Sequence, residues 1–164
     1  MPRRLHRRPE VLVLLTELLA PERIRIPLRA STKDELLGEL VGLLGPDDGV
    51  TDPAAVLRAV RDREQVLSTG IGHGVAIPHG KSDAIGELRL AAGVARPGVD
   101  FEALDGRPVQ LFFLLVGPEA AAGQHVKALS RISRLLRRDV FRERLAAAST
   151  PEEFYSVVTE AELT

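Results

Sequence analysis

The stretch Val109-Gln110-Leu111-Phe112-Phe113-Leu114-Leu115-Val116 is apolar at every position except Gln110. Its length is that of a strand. A strand apolar on both of its alternating faces has to be covered on both sides, so this segment predicts the central strand of a sheet sandwiched between helices. Upstream, Leu88–Ala95 reads as a second strand, and Arg96-Pro97-Gly98 and Asp105-Gly106 read as turns between the two. Further out, Ile24-Arg25-Ile26-Pro27-Leu28-Arg29 alternates apolar and polar residues like a half-buried strand, with Pro27 pointing to an edge position.

Helices fill the intervals. Thr32-Lys33-Asp34-Glu35 is a capping box ahead of Leu36, Leu37, Leu40, Val41 and Leu44, and Gly45-Pro46 stops the pattern. Asp52-Pro53 supplies a cap and a first-turn proline before Val56, Leu57 and Val60, predicting a helix that ends near Arg63. From about Gly123 to Arg138 the period is again helical, with Ala128, Leu129, Ile132, Leu135 and Leu136 on one side. Thr150-Pro151-Glu152-Glu153 opens a last helix carrying Phe154, Val157 and Val158. Strands and helices intermixed without strict alternation predict an α/β (α+β) sandwich: a mixed central β-sheet of about five strands flanked by helices.

Of 164 residues, 45% are hydrophobic and 27% charged, the composition of an ordinary single domain. We place that domain at residues 21–164, preceded over residues 1–20 by a basic tail and a short helix. Arg3, Arg4, Arg7 and Arg8 ahead of Val11–Leu15 imitate a secretory leader, but Glu10 and Glu17 flank or interrupt the apolar run and no small-x-small cleavage site follows. The spacing Leu12, Leu15, Leu18, Leu19 fits a short amphipathic helix instead. No run of about 18 apolar residues predicts membrane insertion, and the expected location is cytoplasmic. A formal charge of −1 argues against a nucleic-acid partner. Zero cysteines exclude thiolate chemistry, leaving His6, His73, His79 and His125 as the candidate soft nucleophiles or metal ligands.

Unusual chemistry is densest in Ser68-Thr69-Gly70-Ile71-Gly72-His73-Gly74-Val75-Ala76-Ile77-Pro78-His79-Gly80-Lys81-Ser82, whose glycines predict irregular backbone or very short strands. Gly80-Lys81-Ser82 imitates the end of a Walker loop, yet Val75 stands where that loop needs its first glycine. Gly70-x-Gly72-x-Gly74 lacks dinucleotide-binding spacing, and His73 and His79 lack the i,i+4 spacing of helical metal ligands. Beside a weakly supported metal site at His73, His79 and His125, two readings remain: a hydrogen-bonded scaffold histidine in a Gly/Pro-rich loop, or a nucleophilic His79. The second needs cationic or donor groups around a phosphoryl group. Arg63, Lys81, the Gly80 amide and His125, in the first turn of its helix where the dipole disfavours imidazolium, are candidates.

The run from Ser68 to Lys81 resembles the phosphorylation-site signature of the fructose/mannitol (type 2) class of enzyme IIA domains of the bacterial phosphotransferase system, a class that includes stand-alone nitrogen-regulatory IIA proteins. Arg63-Glu64 before it, Gly98-Val99-Asp100-Phe101 and Asp105-Gly106-x-Pro108-Val109 after it, and the strand leading to His125 extend the resemblance from Ile24 to the C-terminus. It implies His79 as phospho-acceptor, His125 as supporting histidine, and Arg63 and Thr69 at positions lining the site, to which the residue reading adds Gly80 and Lys81 as phosphate contacts. It also implies transfer without metal or other cofactor from HPr or its nitrogen-branch relative. The phosphate would then serve as a regulatory mark read by partner proteins. The alternative is a sugar-specific IIA that passes the phosphate to a separate IIB, since these residues hold no acceptor cysteine. A metal- or nucleic-acid-binding regulatory module is a weaker alternative. One departure is His73, where familiar members of the class carry Asn; we take it as structural.

Lys127, Arg131, Arg134 and Arg138 recur at i, i+4, i+7 and i+11, a basic helical stripe read as a solvated face before a docking face or a DNA contact.

Overall fold

The computed structural model describes residues 13–163. The basic tail, with Arg3, Arg4, Arg7, Arg8, His6 and Leu12, lies outside the described residues. A short helix, α1 (Leu15–Leu18), leads into strand β1 (Ile24–Leu28) and helices α2 (Lys33–Val41) and α3 (Pro53–Val66). Three short strands follow, β2 (Gly70–Gly72), β3 (Val75–Ala76) and β4 (His79–Lys81), then the long pair β5 (Arg89–Val99) and β6 (Val109–Gly117). Helices α4 (Ala122–Leu135), α5 (Asp139–Ala147) and α6 (Pro151–Leu163) complete the described chain.

The caps read from the sequence are formed. Thr32 accepts the Glu35 amide at 3.3 Å, Asp52 accepts that of Ala55 at 3.2 Å, and Thr150 accepts that of Glu153 at 3.1 Å. Strand β6 is central: antiparallel to β5 on one side, parallel to β3 and β4 on the other, in the order β1-β5-β6-β3-β2. β1 is an edge strand, as Pro27 indicated, and runs parallel to β5. Side chains along β6 alternate between two cores. Leu111, Phe113 and Leu115 pack with α1, α4, α5 and α6 through residues such as Leu15, Ile132, Leu145 and Phe154. Phe112, Leu114 and Val116 pack against α2 and α3 through Leu36, Leu40, Val56 and Val60. Each such fully buried side chain contributes roughly 1.5–3 kcal/mol of burial free energy, and both layers depend on the one strand.

Two expectations are corrected, and one helix had not been anticipated. Arg96-Pro97-Gly98 is no turn. β5 continues through it to Val99, with a register shift between Val94 and Val99 before pairing resumes at Val99 and Val109. A proline withholds one ladder donor but need not reverse the chain, and the irregularity in register absorbs it. Helix α2 ends at Val41 with Gly42 as its cap, although Leu44 is still buried. Helix α5 went unread because only Phe141 and Leu145 are buried among charged residues and an exposed Val140, too narrow a stripe to stand out.

Candidate active site

β2 pairs with β3, and the segment from β3 to β4 runs along β6, β3 against its N-terminal half and β4 against its C-terminal end. Residues 75–76 and 79–81 pair with it in parallel, His79 lying opposite Leu115, and between them the Pro78 carbonyl accepts the Leu115 amide at 3.0 Å. Ile77 and Pro78 are buried, so His79, itself partly buried, stands on a fixed backbone. His79 Nδ1 lies 2.8 Å from the Ile77 carbonyl oxygen. A carbonyl can only accept, so Nδ1 carries the proton and donates, and the lone pair is left on Nε2. The pKa of His79 is held below the usual imidazole value, foremost by burial. The Ile77 bond and Glu64 oppose that shift, and Arg63 and Lys81 reinforce it. The ring is thus a neutral nucleophile at neutral pH.

His125 comes from the first turn of α4, on the opposite side of β6 from α3. Its ring centroid is 5.7 Å from that of His79 with the planes inclined at 62°. The residue is 2% exposed, and neither ring nitrogen has a hydrogen-bond partner among the described residues. Burial first, then the neighbouring His79 and Lys81, push its pKa down to about 4. The direction is the one expected from the helix terminus, but burial is the larger cause. A buried imidazole with two unused nitrogens costs about 1–3 kcal/mol unless something hydrogen-bonds to it, and a neutral N–H aimed at a site is suited to an anionic oxygen.

Arg63 and Lys81 bring positive charge to His79, and Lys81 also acts on His125. Arg63 Nη1 donates to the Leu67 carbonyl at 2.9 Å, which holds one arm of the guanidinium at the end of α3, and Lys81 is exposed on β4. Gly80 is buried, and a Cβ there would lie 3.0 Å from the Val60 nitrogen, so close packing of α3 on β4 requires the glycine. Thr69 is buried with its hydroxyl committed: Oγ1 donates to Glu64 Oε2 at 2.5 Å. His73 is exposed in the β2–β3 turn with φ 57°, between Gly72 at φ 93° and Gly74 at φ 74°. That left-handed conformation suits His, one of the few non-glycine side-chain types enriched there along with Asn and Asp. On the basic stripe, Lys127 and Arg134 are exposed, whereas Arg131 Nε is bonded to Glu162 at 2.6 Å.

Sequence reasoning gave no role to Glu64 and Lys33. Glu64 is 5% exposed and accepts the Thr69 amide and hydroxyl, and Lys33 Nζ sits 3.0 Å from it. The signal was present: Val56, Val60 and Glu64 recur at i, i+4 and i+8, which puts a carboxylate on the buried stripe of α3.

A mixed sheet that presents a neutral histidine beside a buried second histidine, with positive charge from Arg63 and Lys81, has the chemistry of a site for taking up a phosphoryl group. The chain belongs to the family described as "Phosphoenolpyruvate-dependent sugar phosphotransferase system, EIIA 2", whose model matches residues 17–161. Among its relatives, a nitrogen regulatory protein of Bradyrhizobium diazoefficiens is 41% identical over 145 residues, 88% of this chain and 94% of that protein. The fructose-specific EIIABC component of Bacillus subtilis is 35% identical over 89% of this chain, which spans 23% of that longer protein. The crystal structure of nitrogen regulatory protein IIA-Ntr from Neisseria meningitidis matches with a TM-score of 0.81 at 34% identity, covering 87% of this chain and 97% of that one. Among the described residues no helix is long and apolar enough to cross a membrane.

Proposed function

We propose that this chain is a cytoplasmic phosphocarrier that accepts a phosphoryl group on His79 Nε2 from the phosphohistidine of HPr or a nitrogen-branch relative, and that its phosphorylation state regulates partner proteins. The observation that carries this reading is the 2.8 Å bond from His79 Nδ1 to the Ile77 carbonyl, which leaves Nε2 with its lone pair in a ring kept neutral by burial. The lone pair attacks phosphorus in line. The Nε2–P bond forms as the N–P bond on the carrier breaks, and the electron pair leaves with the carrier's imidazole. Arg63 and Lys81 offset the charge on the equatorial oxygens, and a neutral His125 donates one N–H to them. No metal or cofactor takes part in this scheme.

A protein donor also suits the surface. Val66, Leu67, Ile71, Leu104 and Val126 are exposed apolar side chains on the segments that carry Arg63, Thr69 and His125, with Leu104 tied by its amide to the Gly70 carbonyl at 3.2 Å. Exposed apolar groups gathered about a charged centre fit docking by another protein. A second reading, onward transfer to a separate IIB, is favoured by the mannitol IIA of Escherichia coli, a protein of the same fold known in complex with phosphorylated IIB.

The test incubates the protein with phosphoenolpyruvate, enzyme I and HPr and maps acid-labile phosphate by mass spectrometry. Label on His79, lost in His79→Ala, is expected. Undiminished labelling of His79→Ala refutes the acceptor assignment.

A further inference from the structure

Glu64 stands out as a carboxylate buried on the apolar stripe of α3. Ionised and out of water, it is tolerated only with a full set of partners. Those partners lead toward the site. Oε1 takes the Thr69 amide at 3.0 Å and Lys33 Nζ at 3.0 Å, and Oε2 takes the same amide at 3.2 Å and the Thr69 hydroxyl at 2.5 Å. Both donors of Thr69 are thereby committed, which holds its amide plane and side-chain rotamer and restricts the freedom left to the backbone that carries its carbonyl. That carbonyl accepts the Ile77 amide at 3.0 Å, and the Ile77 carbonyl accepts His79 Nδ1–H at 2.8 Å.

Resting on the reading of His79 as the acceptor, we propose that Lys33 and Glu64 are a positioning pair that holds the His79 ring in its reactive tautomer through the backbone of Thr69 and Ile77. Neither residue touches the phosphoryl group. If the Ile77 peptide rotates, Nδ1–H loses its acceptor, and the tautomer protonated on Nε2, which has no lone pair there to attack with, becomes populated. Lys33 completes the device. It is the first residue of α2, and its ammonium also lies 4.0 Å from Glu102 and 4.8 Å from the centre of the Phe101 ring. Without it the Glu64 charge has no cation and is drawn toward solvent, away from Thr69. The pair thus ties α2 and α3, which contribute no group that attacks phosphorus, to the orientation of one imidazole on β4.

The experiment uses the full chain with Lys33→Met, Lys33→Arg, Glu64→Gln and the double variant Lys33→Met/Glu64→Gln. Imidazole 15N NMR of the unphosphorylated protein reads the His79 tautomer, and phosphotransfer from phospho-HPr reads the rate. Wild type is expected to hold the proton on Nδ1. Lys33→Met and Glu64→Gln are expected to give mixed tautomers and rates slower by roughly tenfold or more, because displacement of a reacting group by even about 1 Å is that costly. Lys33→Arg is expected to restore both readings. The double variant is expected to be no slower than Glu64→Gln alone, since Lys33 then has nothing to hold. Unchanged tautomer signals in Lys33→Met, or additive losses in the double variant, overturn the proposal. Lys33→Met retains every side chain of the core, so the outcome does not hang on whether Glu64→Gln folds. Failure of any phosphotransfer to His79 would refute the acceptor reading, while the tautomer of the free protein still judges the positioning pair.

Discussion

The imidazoles of His79 and His125 meet edge to face, centroids 5.7 Å apart, one tied to the Ile77 carbonyl and the other with both nitrogens unused among the described residues. The tied ring is oriented but not consumed, since the bond engages Nδ1 and leaves Nε2 available. The untied ring is buried at an energetic cost that a phosphoryl oxygen would relieve. Replacing His125 by Leu is therefore expected to leave the fold intact and the protein at least as stable at neutral pH, because an unsatisfied polar group gives way to an apolar one of similar size. Phosphotransfer should slow by roughly 100-fold, the effect of removing one preorganised donor, with the label still on His79. Stopped-flow transfer from phospho-HPr measures this, and equal rates would exclude His125 from the mechanism.

Stability should fall with acidity in a defined window. The unfolded chain protonates His125 near its ordinary value of 6.5, whereas the folded chain does so only at about 4. Between those values the unfolded state binds the extra proton, so stability is full above about pH 6.5 and declines as pH drops to about 4, by about 3 kcal/mol from this group. His79, also depressed, adds in the same direction. Urea denaturation at pH 7 and pH 4.5 should show the loss, and His125→Leu should remove most of it. A wild-type profile no steeper than the variant's would contradict the buried neutral state.

Much of this was legible in the chain itself, for identifiable reasons. Strand β6 declares itself because burial on both faces leaves no room for polar alternation, and Thr32, Asp52 and Thr150 declare helix starts because the orphan amides of a helix need those oxygens. His79 and His125 were legible as types at suggestive places. Their approach was not, because His79 and His125 reach each other through the pairing of β4 with β6 and the return of α4, a long-range geometry that local spacing does not carry. Glu64 was missed for a related reason: a glutamate on an apolar stripe looks like an exposed charge until Thr69 and Lys33 fold onto it. Arg96-Pro97-Gly98 misled because turn-forming residues also sit in strands that tolerate a bulge.

Gly80 tests how tightly β4 is held. A methyl group there would meet the Val60 nitrogen at 3.0 Å and the Ala59 carbonyl carbon at 3.1 Å, both backbone atoms of α3 that cannot turn aside. Gly80→Ala should cost about 2 kcal/mol, typical of overpacking, and should slow phosphotransfer by shifting β4 relative to β6. Chemical denaturation and the transfer rate together check this. A variant as stable as wild type would mean that α3 is not seated on β4 as described.

His73 gives the opposite expectation: a position governed by backbone conformation and indifferent to the chemistry. It sits at φ 57° in an exposed turn, a region costing roughly 1–2 kcal/mol for ordinary side chains and less for Asn or His, whose short polar groups tolerate it. His73→Val should therefore destabilise by about 1–2 kcal/mol, since a β-branched residue fits that region worst. His73→Asn should match or slightly exceed wild-type stability, and its rate of phosphotransfer should be unchanged between pH 6 and pH 8. Denaturation midpoints measure the first pair of effects, and transfer kinetics across that range measure the last. If His73→Asn altered the rate or its pH dependence, His73 would have to be counted among the groups that act on the phosphoryl site.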